Sequence, residues 1–378
     1  MSARSVAMIV SNEMLSDPRV EKEAAALAAA GWKVTAVAWG RSGTAPAKET
    51  RGSLDIVRTG PVAPYGAGLK SLGLFRAFWA DAAREVVALR PDVVHCHDMD
   101  TASAGLAALK ELPASTKLVL DWHELYRESR MIPRKPLLRR VAQAFVDRLE
   151  RKAHARASLL IVAAPAMVEE RYAAFERVLV VENAPDAERF TPSDELASAD
   201  RLRVCYVGAK RYAESLELLM RAVQADERFS AYLAGSGVAE AEVARTAAGY
   251  DRVDVSGAFT AEEAAGLYAG CDAVFAVYDA KVGNIRVALP VKALEGMAAG
   301  LPVIANQGTW FGRMVEREGV GVTVGGTDVD ELVSALRLLA DDPERRAEMG
   351  RRGRAYIEQH MNWADASARL VDAYEHLA

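Results

Sequence analysis

Short, uninterrupted apolar runs alternate with stretches of helical periodicity along this chain. Residues 6–10 (VAMIV), 33–39, 92–96 (DVVHC), 117–121 (KLVLD), 159–164 (LLIVAA) and 178–182 (VLVVE) predict strands, with 55–57 a further short one. Between them, apolar positions spaced three and four apart predict helices over 18–30, 72–89, 101–110, 136–154 and 165–174. The strands are apolar at consecutive rather than alternate positions, so both of their faces are covered. That pattern, with a helix between successive strands, belongs to parallel α/β sheets.

The polar stretch 183–201 (NAPDAERFTPSDELASADR) interrupts the alternation and reads as a linker. A second α/β run follows, with strands at 202–208, 230–235, 253–257, 273–277 and 303–305. Helices are predicted at 215–224, 239–249 and 261–269, and the end is helical over 328–339, 343–360 and 362–377. The expected architecture is α/β: two Rossmann-like, doubly wound domains facing a central cleft, with ligands at the carboxyl ends of the strands. The loops after the two leading strands, SNEMLSDPRV and GAKRYAES, lack G-x-G-x-x-G, which argues against a nicotinamide or flavin oxidoreductase.

At 378 residues the chain is long enough for two cores, and its formal net charge of −5 gives no electrostatic case for nucleic acid. Cys96, Cys205 and Cys271 lie in or beside apolar strands without metal-ligand spacing, as buried free thiols would. No apolar run is long enough to span a bilayer. A cytoplasmic location is the expectation, with the inner face of the membrane kept open by the basic segment described below.

The densest chemistry lies in ALPVKALEGMAAGLPVIAN, residues 288–306. Pro290 fits a first helical turn, Gly300 a left-handed C-terminal cap, and Pro302 stops the helix before a short apolar strand. Lys292 and Glu295 stand one turn apart near the helix start, where free N–H groups favour anions. A carboxylate for hydroxyls beside a cation for phosphates suits a nucleotide sugar. The segment resembles the C-terminal signature "Pro-x-Lys-x-x-Glu…Ala-Ala-Gly-x-Pro-Val" of retaining glycosyltransferases of the large family-four group, which have the GT-B fold.

That resemblance implies roles. Glu295 would bind the donor's ribose hydroxyls, and Lys292 its diphosphate. The loop after residue 207 usually carries a Lys or Arg on the diphosphate, but those places hold Ala213, Glu214 and Ser215, leaving Lys210 and Arg211 as the loop's cations. Gly208, Gly235, Gly257 and Ala258 match turns around the donor. So does the loop containing Asn284, Arg286, Val287, Leu289 and Pro290. Val287 stands where many members have a first Glu. DWHELYRESR (121–130) matches "Asp-x-His-Glu", which puts His123 against the donor sugar and Glu124 near the acceptor. Asp17 and Arg19 of "Ser-Asp-Pro-Arg-Val", with His97 and Asp98 of HCHDMD, are assigned to acceptor contact. His95, His97 and Asp98 invite a metal reading, but relatives carry "His-x-His" there without metal, so no metal and no cofactor is implied. Further acceptor choice would rest on the loop 60–73.

The resemblance also has the last helix return to the N-terminal domain. The expected domains are therefore 1–187 completed by 360–378, for acceptor, and 188–359, for donor. Residues 127–156 hold ten Lys/Arg against three Asp/Glu. Leu137, Leu138, Val141, Phe145 and Leu149 form a helical stripe there. The first reading is an amphipathic helix burying that stripe in its own domain. The others are peripheral membrane contact through 134–156 and an anionic acceptor site. The function implied is metal-independent transfer of a sugar, with retention, from a nucleoside-diphosphate sugar to the hydroxyl of a carbohydrate or lipid-linked acceptor. The rivals are a degenerate, non-catalytic binding protein, motivated by Val287, Ala213 and Glu214, and a nucleotide-sugar epimerase or hydrolase.

Overall fold

The computed structural model describes residues 4–63, 71–129, 132, 133, 135–192, 201–279 and 282–377. Part of the loop 60–73 thus lies outside the described residues, as do residues 130, 131 and 134 of the basic segment. The chain divides into two compact units, Met1–Val181 with Asp365–Ala378, and Glu182–Ala364. The first boundary falls several residues earlier than the sequence suggested, directly after the last strand of unit 1.

Unit 1 runs β1 (Ser5–Val10), α1 (Pro18–Ala29), β2 (Lys33–Trp39), β3 (Lys48–Arg51), β4 (Leu54–Thr59), α2 (Ser71–Leu89), β5 (Val93–His97) and α3 (Ala102–Ala108). It continues through β6 (Lys117–Trp122), α4 (Pro136–His154), β7 (Leu159–Val162), α5 (Pro165–Met167) and β8 (Val178–Val180). The sheet order is β3-β4-β2-β1-β5-β6-β7-β8. All pairings are parallel except β3 with β4, an edge hairpin that sequence reading missed because KETR is polar and partly exposed. The helix expected over 165–174 is instead a short α-turn that widens into a π-turn at Val168–Tyr172.

Unit 2 runs β9 (Leu202–Val207), α6 (Ala213–Val223), β10 (Phe229–Ala234), α7 (Glu240–Ala247), β11 (Val253–Ser256), α8 (Ala261–Ala264) and β12 (Ala273–Ala276). Then come α9 (Val291–Ala298), β13 (Val303–Asn306), α10 (Trp310–Glu318), β14 (Gly321–Val324), α11 (Val329–Asp341) and α12 (Pro343–His360). Its six strands are all parallel, in the order β11-β10-β9-β12-β13-β14. The last helix, α13 (Trp363–Glu375), lies almost wholly within unit 1.

Both sheets are doubly wound, and each reverses direction at one point: between β1 and β5 in unit 1, and between β9 and β12 in unit 2. Loops diverge there and leave a crevice at the strand ends. In unit 2 the crevice is framed by α9, whose end is fixed by backbone chemistry. Gly300 has φ +77° and donates to Met297 O, while Leu301 N–H reaches back to Gly296 O, a Schellman closure. Gly350 lets α12 pack on that turn, because a β-carbon there would lie 1.9 Å from Gly300 O. Arg354 Nη1 then ties Ala298 O (2.6 Å) to Ala187 O and Phe190 O. Among the described residues, no helix is long and apolar enough to cross a membrane. The three cysteines are buried and unbonded.

Candidate functional site

In unit 2 the strand ends are stitched through backbone. Gly208 N–H donates to Ala234 O, Gly235 N–H to Gly257 O, and Lys210 N–H to Ser236 O. Gly208 and Gly235 have φ of +143° and +121°, and a β-carbon on Gly235 would come within 2.2 Å of Gly208 O. Only glycine permits that approach. Lys292 arches over Gly208: a β-carbon on Gly208 would lie 3.1 Å from Lys292 Cε. Its Nζ donates to Tyr278 OH (2.8 Å) and stands 4.3 Å from the centre of the Tyr206 ring. One turn on, Glu295 Oε2 accepts from Tyr268 OH at 2.8 Å. Burial, with the Glu295 charge beside it, pushes the Tyr268 phenol well above its ordinary pKa and keeps it a donor. Cation and carboxylate are thus aligned along the start of α9, beside bare glycine backbone.

Around this frame, Gly257, Ala258, Arg211 and Arg286 are exposed, and Asn284, Leu289 and Pro290 are half-buried. Pro290 is the N-cap of α9 rather than its first helical residue. Val287 is buried at the end of the short turn Gly283–Arg286, so it presents no polar group in place of the missing Glu. Lys210 requires a correction. Its side chain is fully enclosed and Nζ donates to Ser256 O at 2.6 Å, so it ties two loops together rather than reaching for phosphate. Glu214, the carboxylate of concern in this loop, lies exposed in the first turn of α6.

In unit 1, His123 follows β6 and is held by two carboxylates. Its Nε2 lies 2.8 Å from Asp121 Oδ2, and its Nδ1 3.3 Å from Asp98 Oδ1. Burial disfavours a charged ring, but Asp98 and Asp121 outweigh it and raise the His123 pKa well above the ordinary value. Asp98 sits at φ +66°, its N–H on Asp121 O, and its carboxylate also accepts from Tyr126 OH. Both ring nitrogens thus face carboxylates, an arrangement that favours the imidazolium, a form with no free lone pair to act as a base.

Beneath it lies a buried cluster that sequence reading did not foresee. Asp121 accepts from Arg19 Nε (2.8 Å) and Nη2 (2.6 Å), from His97 Nδ1 (3.0 Å) and from His123. Burial raises the Asp121 pKa, yet Arg19 and His123 prevail and hold it well below the usual carboxylate range. Arg19 also meets Glu23 (3.2 Å) and Val181 O (2.8 Å). Burial, with Asp121 adding, pushes Glu23 up to about 7. His95 stacks on His97, with ring centres 4.1 Å apart, and shares a hydrogen bond with Tyr374 OH at 2.7 Å. Burial, with His97 adding, keeps His95 neutral.

Two acceptor assignments change accordingly. Arg19 and His97 are buried and spend their hydrogen bonds on Asp121. Asp17 is the N-cap of α1, accepting from Val20 N–H and from Asn12 Nδ2 at 2.7 Å. Asp98 and Glu124 remain partly exposed beside His123. Glu23, His95, His97 and Asp121 each bring one donor atom to within 4.8 Å of the others, a set with metal-ligand chemistry. The Arg19 guanidinium already sits among them, hydrogen-bonded to Asp121 and ion-paired with Glu23, and supplies the compensating positive charge.

Residues 16–184 match the glycosyl transferase 4-like domain, and residues 201–342 match the glycosyl transferases group 1 family. A GDP-mannose-dependent monoacylated alpha-(1-6)-phosphatidylinositol monomannoside mannosyltransferase of Corynebacterium glutamicum is 40% identical over 84 residues, 22% of each chain. An MMP alpha-(1->4)-mannosyltransferase of Mycolicibacterium hassiacum is 25% identical over 79% of this chain and 74% of its own. The solved sucrose-phosphate synthase of Thermosynechococcus elongatus superposes with a TM-score of 0.82 at 19% identity, covering 99% of both chains. The fold is of the GT-B class.

Proposed function

The chain belongs to the glycosyltransferases, and on that premise we propose that it moves a hexose-type sugar from a nucleoside-diphosphate donor to an acceptor hydroxyl with retention. The observation that carries this reading is the pairing of Lys292 and Glu295 on α9 beside the glycine backbone of Gly208 and Gly235. Glu295 takes the ribose hydroxyls. Lys292, Arg211 and the free N–H groups of α9 take the diphosphate, whose negative charge grows as the sugar leaves.

In the step itself, the bond from the anomeric carbon to the phosphate oxygen breaks and a bond to the acceptor oxygen forms on the same face. The acceptor proton passes to a phosphate oxygen of the leaving diphosphate. The two carboxylates around His123 support that choice of base, since they favour the ring in its protonated form. Within unit 1, sugar contact is assigned to His123 and acceptor contact to the partly exposed Asp98 and Glu124. Arg19 supplies in place the positive charge that a cation among His95, His97 and Asp121 would bring, so the reaction is proposed to be metal-independent.

Both curated relatives described above are named as mannosyltransferases, the first of them GDP-mannose-dependent, so GDP-mannose leads a panel with UDP-, ADP- and dTDP-sugars. Calorimetry without metal, repeated with chelator, is expected to show binding of one nucleotide. A hydrogen bond to a charged group is worth about 1.5–3 kcal/mol, so Glu295→Ala should weaken that binding about ten- to a hundredfold. Unchanged affinity in the variant would remove Glu295 from the donor site.

A further inference from the structure

Helix α4 is mounted with its apolar face outward. Leu137, Leu138, Val141 and Phe145 are 74%, 52%, 64% and 61% exposed. Their spacing places them on one stripe, and Gln143, Val146, Glu150 and Ala153, the buried residues, fall on the opposite side. The expectation that this stripe would bury itself in its own domain is therefore overturned. The reason is that polar bonds anchor the other face. Gln143 Nε2 donates to Arg127 O, Tyr172 OH to Glu150, and Arg171 to both Glu150 and Asp147.

Those bonds also sort the charges. Both acidic residues of α4, Asp147 and Glu150, are engaged in ion pairs with Arg171. Arg140, Arg148, Arg151 and Lys152 are all exposed. At 100° per residue, Arg148 and Lys152 continue the apolar stripe toward the C-terminus, and Arg140 and Arg151 flank it. Beside the stripe a groove of about 480 Å³ runs between α3 and α4, lined by Leu106, Leu109 and Leu149 together with Lys110, Lys152 and Arg156. Contiguous exposed apolar surface marks an interaction site, and here it is combined with charge of a single sign.

We propose that α4 docks unit 1 on an anionic lipid surface, with Leu137, Leu138, Val141 and Phe145 among the acyl chains and the surrounding cations on the headgroups. Charge decides between occupants. A second copy meeting this face would set arginine against arginine, whereas an anionic bilayer neutralises the cations and takes up the stripe together. The inference goes beyond sugar transfer and does not depend on it.

The test is flotation of the full chain with vesicles of phosphatidylcholine alone, and of phosphatidylcholine mixed equally with phosphatidylglycerol, without nucleotide sugar. Binding is expected to the mixed vesicles only, weakening as salt rises. The double variants Val141→Ser/Phe145→Ser and Arg148→Glu/Lys152→Glu should each weaken it about tenfold. All four positions are exposed, so thermal unfolding should be unchanged and loss of binding will not reflect loss of fold. Absence of binding to the mixed vesicles would overturn the proposal, as would binding indifferent to both variants. Self-association abolished by the apolar variant, with no vesicle binding, would assign the face to a second copy instead.

Discussion

Replacing Asp121 by Asn changes one oxygen to an amide in the middle of the buried cluster and keeps the volume. The carboxylate is fully enclosed and serves three donors: Arg19, His97 and His123. With Asn, the guanidinium keeps Glu23 but loses its bidentate partner, and His123 loses the anion at Nε2. Breaking a buried pair costs about 3–5 kcal/mol, and the retained Glu23 contact argues for the lower end, about 3 kcal/mol. For a unit of about 200 residues, that lowers the melting temperature by about 6–12 °C. Calorimetry is the assay, because two units can melt separately and only the unit 1 transition should move.

The pH dependence gives a sharper check. The folded pKa of Asp121 is depressed, so its contribution is present above the unfolded value of 3.8 and is lost as pH falls through the folded one. His123 has a raised folded pKa, so its contribution is complete below 6.5 and is lost as pH rises through that higher value. The gap between parent and variant should therefore be widest between about pH 4 and 6.5. It should close in acid and narrow partly in alkali. A shift under about 2 °C, or a gap that ignores pH, would refute the account of Asp121 as the centre of this cluster.

Two further outcomes follow from other contacts. Gly235→Ala sets a β-carbon 2.2 Å from Gly208 O at a φ that disfavours side chains. It should lower the melting temperature of unit 2 and weaken nucleotide binding at least tenfold, as measured by calorimetry with the nucleotide that the parent binds. Tyr374→Phe removes the bond to His95 and should cost unit 1 about 1–2 kcal/mol in urea unfolding, with affinity for the free nucleotide unchanged because Lys292 and Glu295, proposed to hold it, lie in unit 2.

The strands were legible because both of their faces are buried. Runs such as VAMIV and LLIV carry that information locally, as β1 and β7 show. β3 and β14 were not, since partly exposed edge strands ask little of their side chains. In unit 2 the glycine turns were assigned through the family resemblance, whereas the pairing of Lys292 and Glu295 beside them could be read from spacing, because they share a helix. The buried cluster of unit 1 could not. Arg19 and Asp121 are 102 positions apart, so a residue that looks like a surface charge beside a cap becomes the counter-ion of a distant strand. The orientation of α4 was also hidden, because periodicity identifies a stripe but not which side of the helix the rest of the unit will hold.

Helix α13 returns to unit 1 from the far end of the chain and places Tyr374 against His95, 279 positions earlier. A ribosome making about 5–20 residues each second would expose His95 roughly 15–60 s before Tyr374 exists. Unit 2 is continuous in sequence and can finish first, reversing the usual order in which the leading domain matures before the next. Until the last helix emerges, the nascent first unit holds His95 without its partner, and that interval is when a chaperone would be needed most.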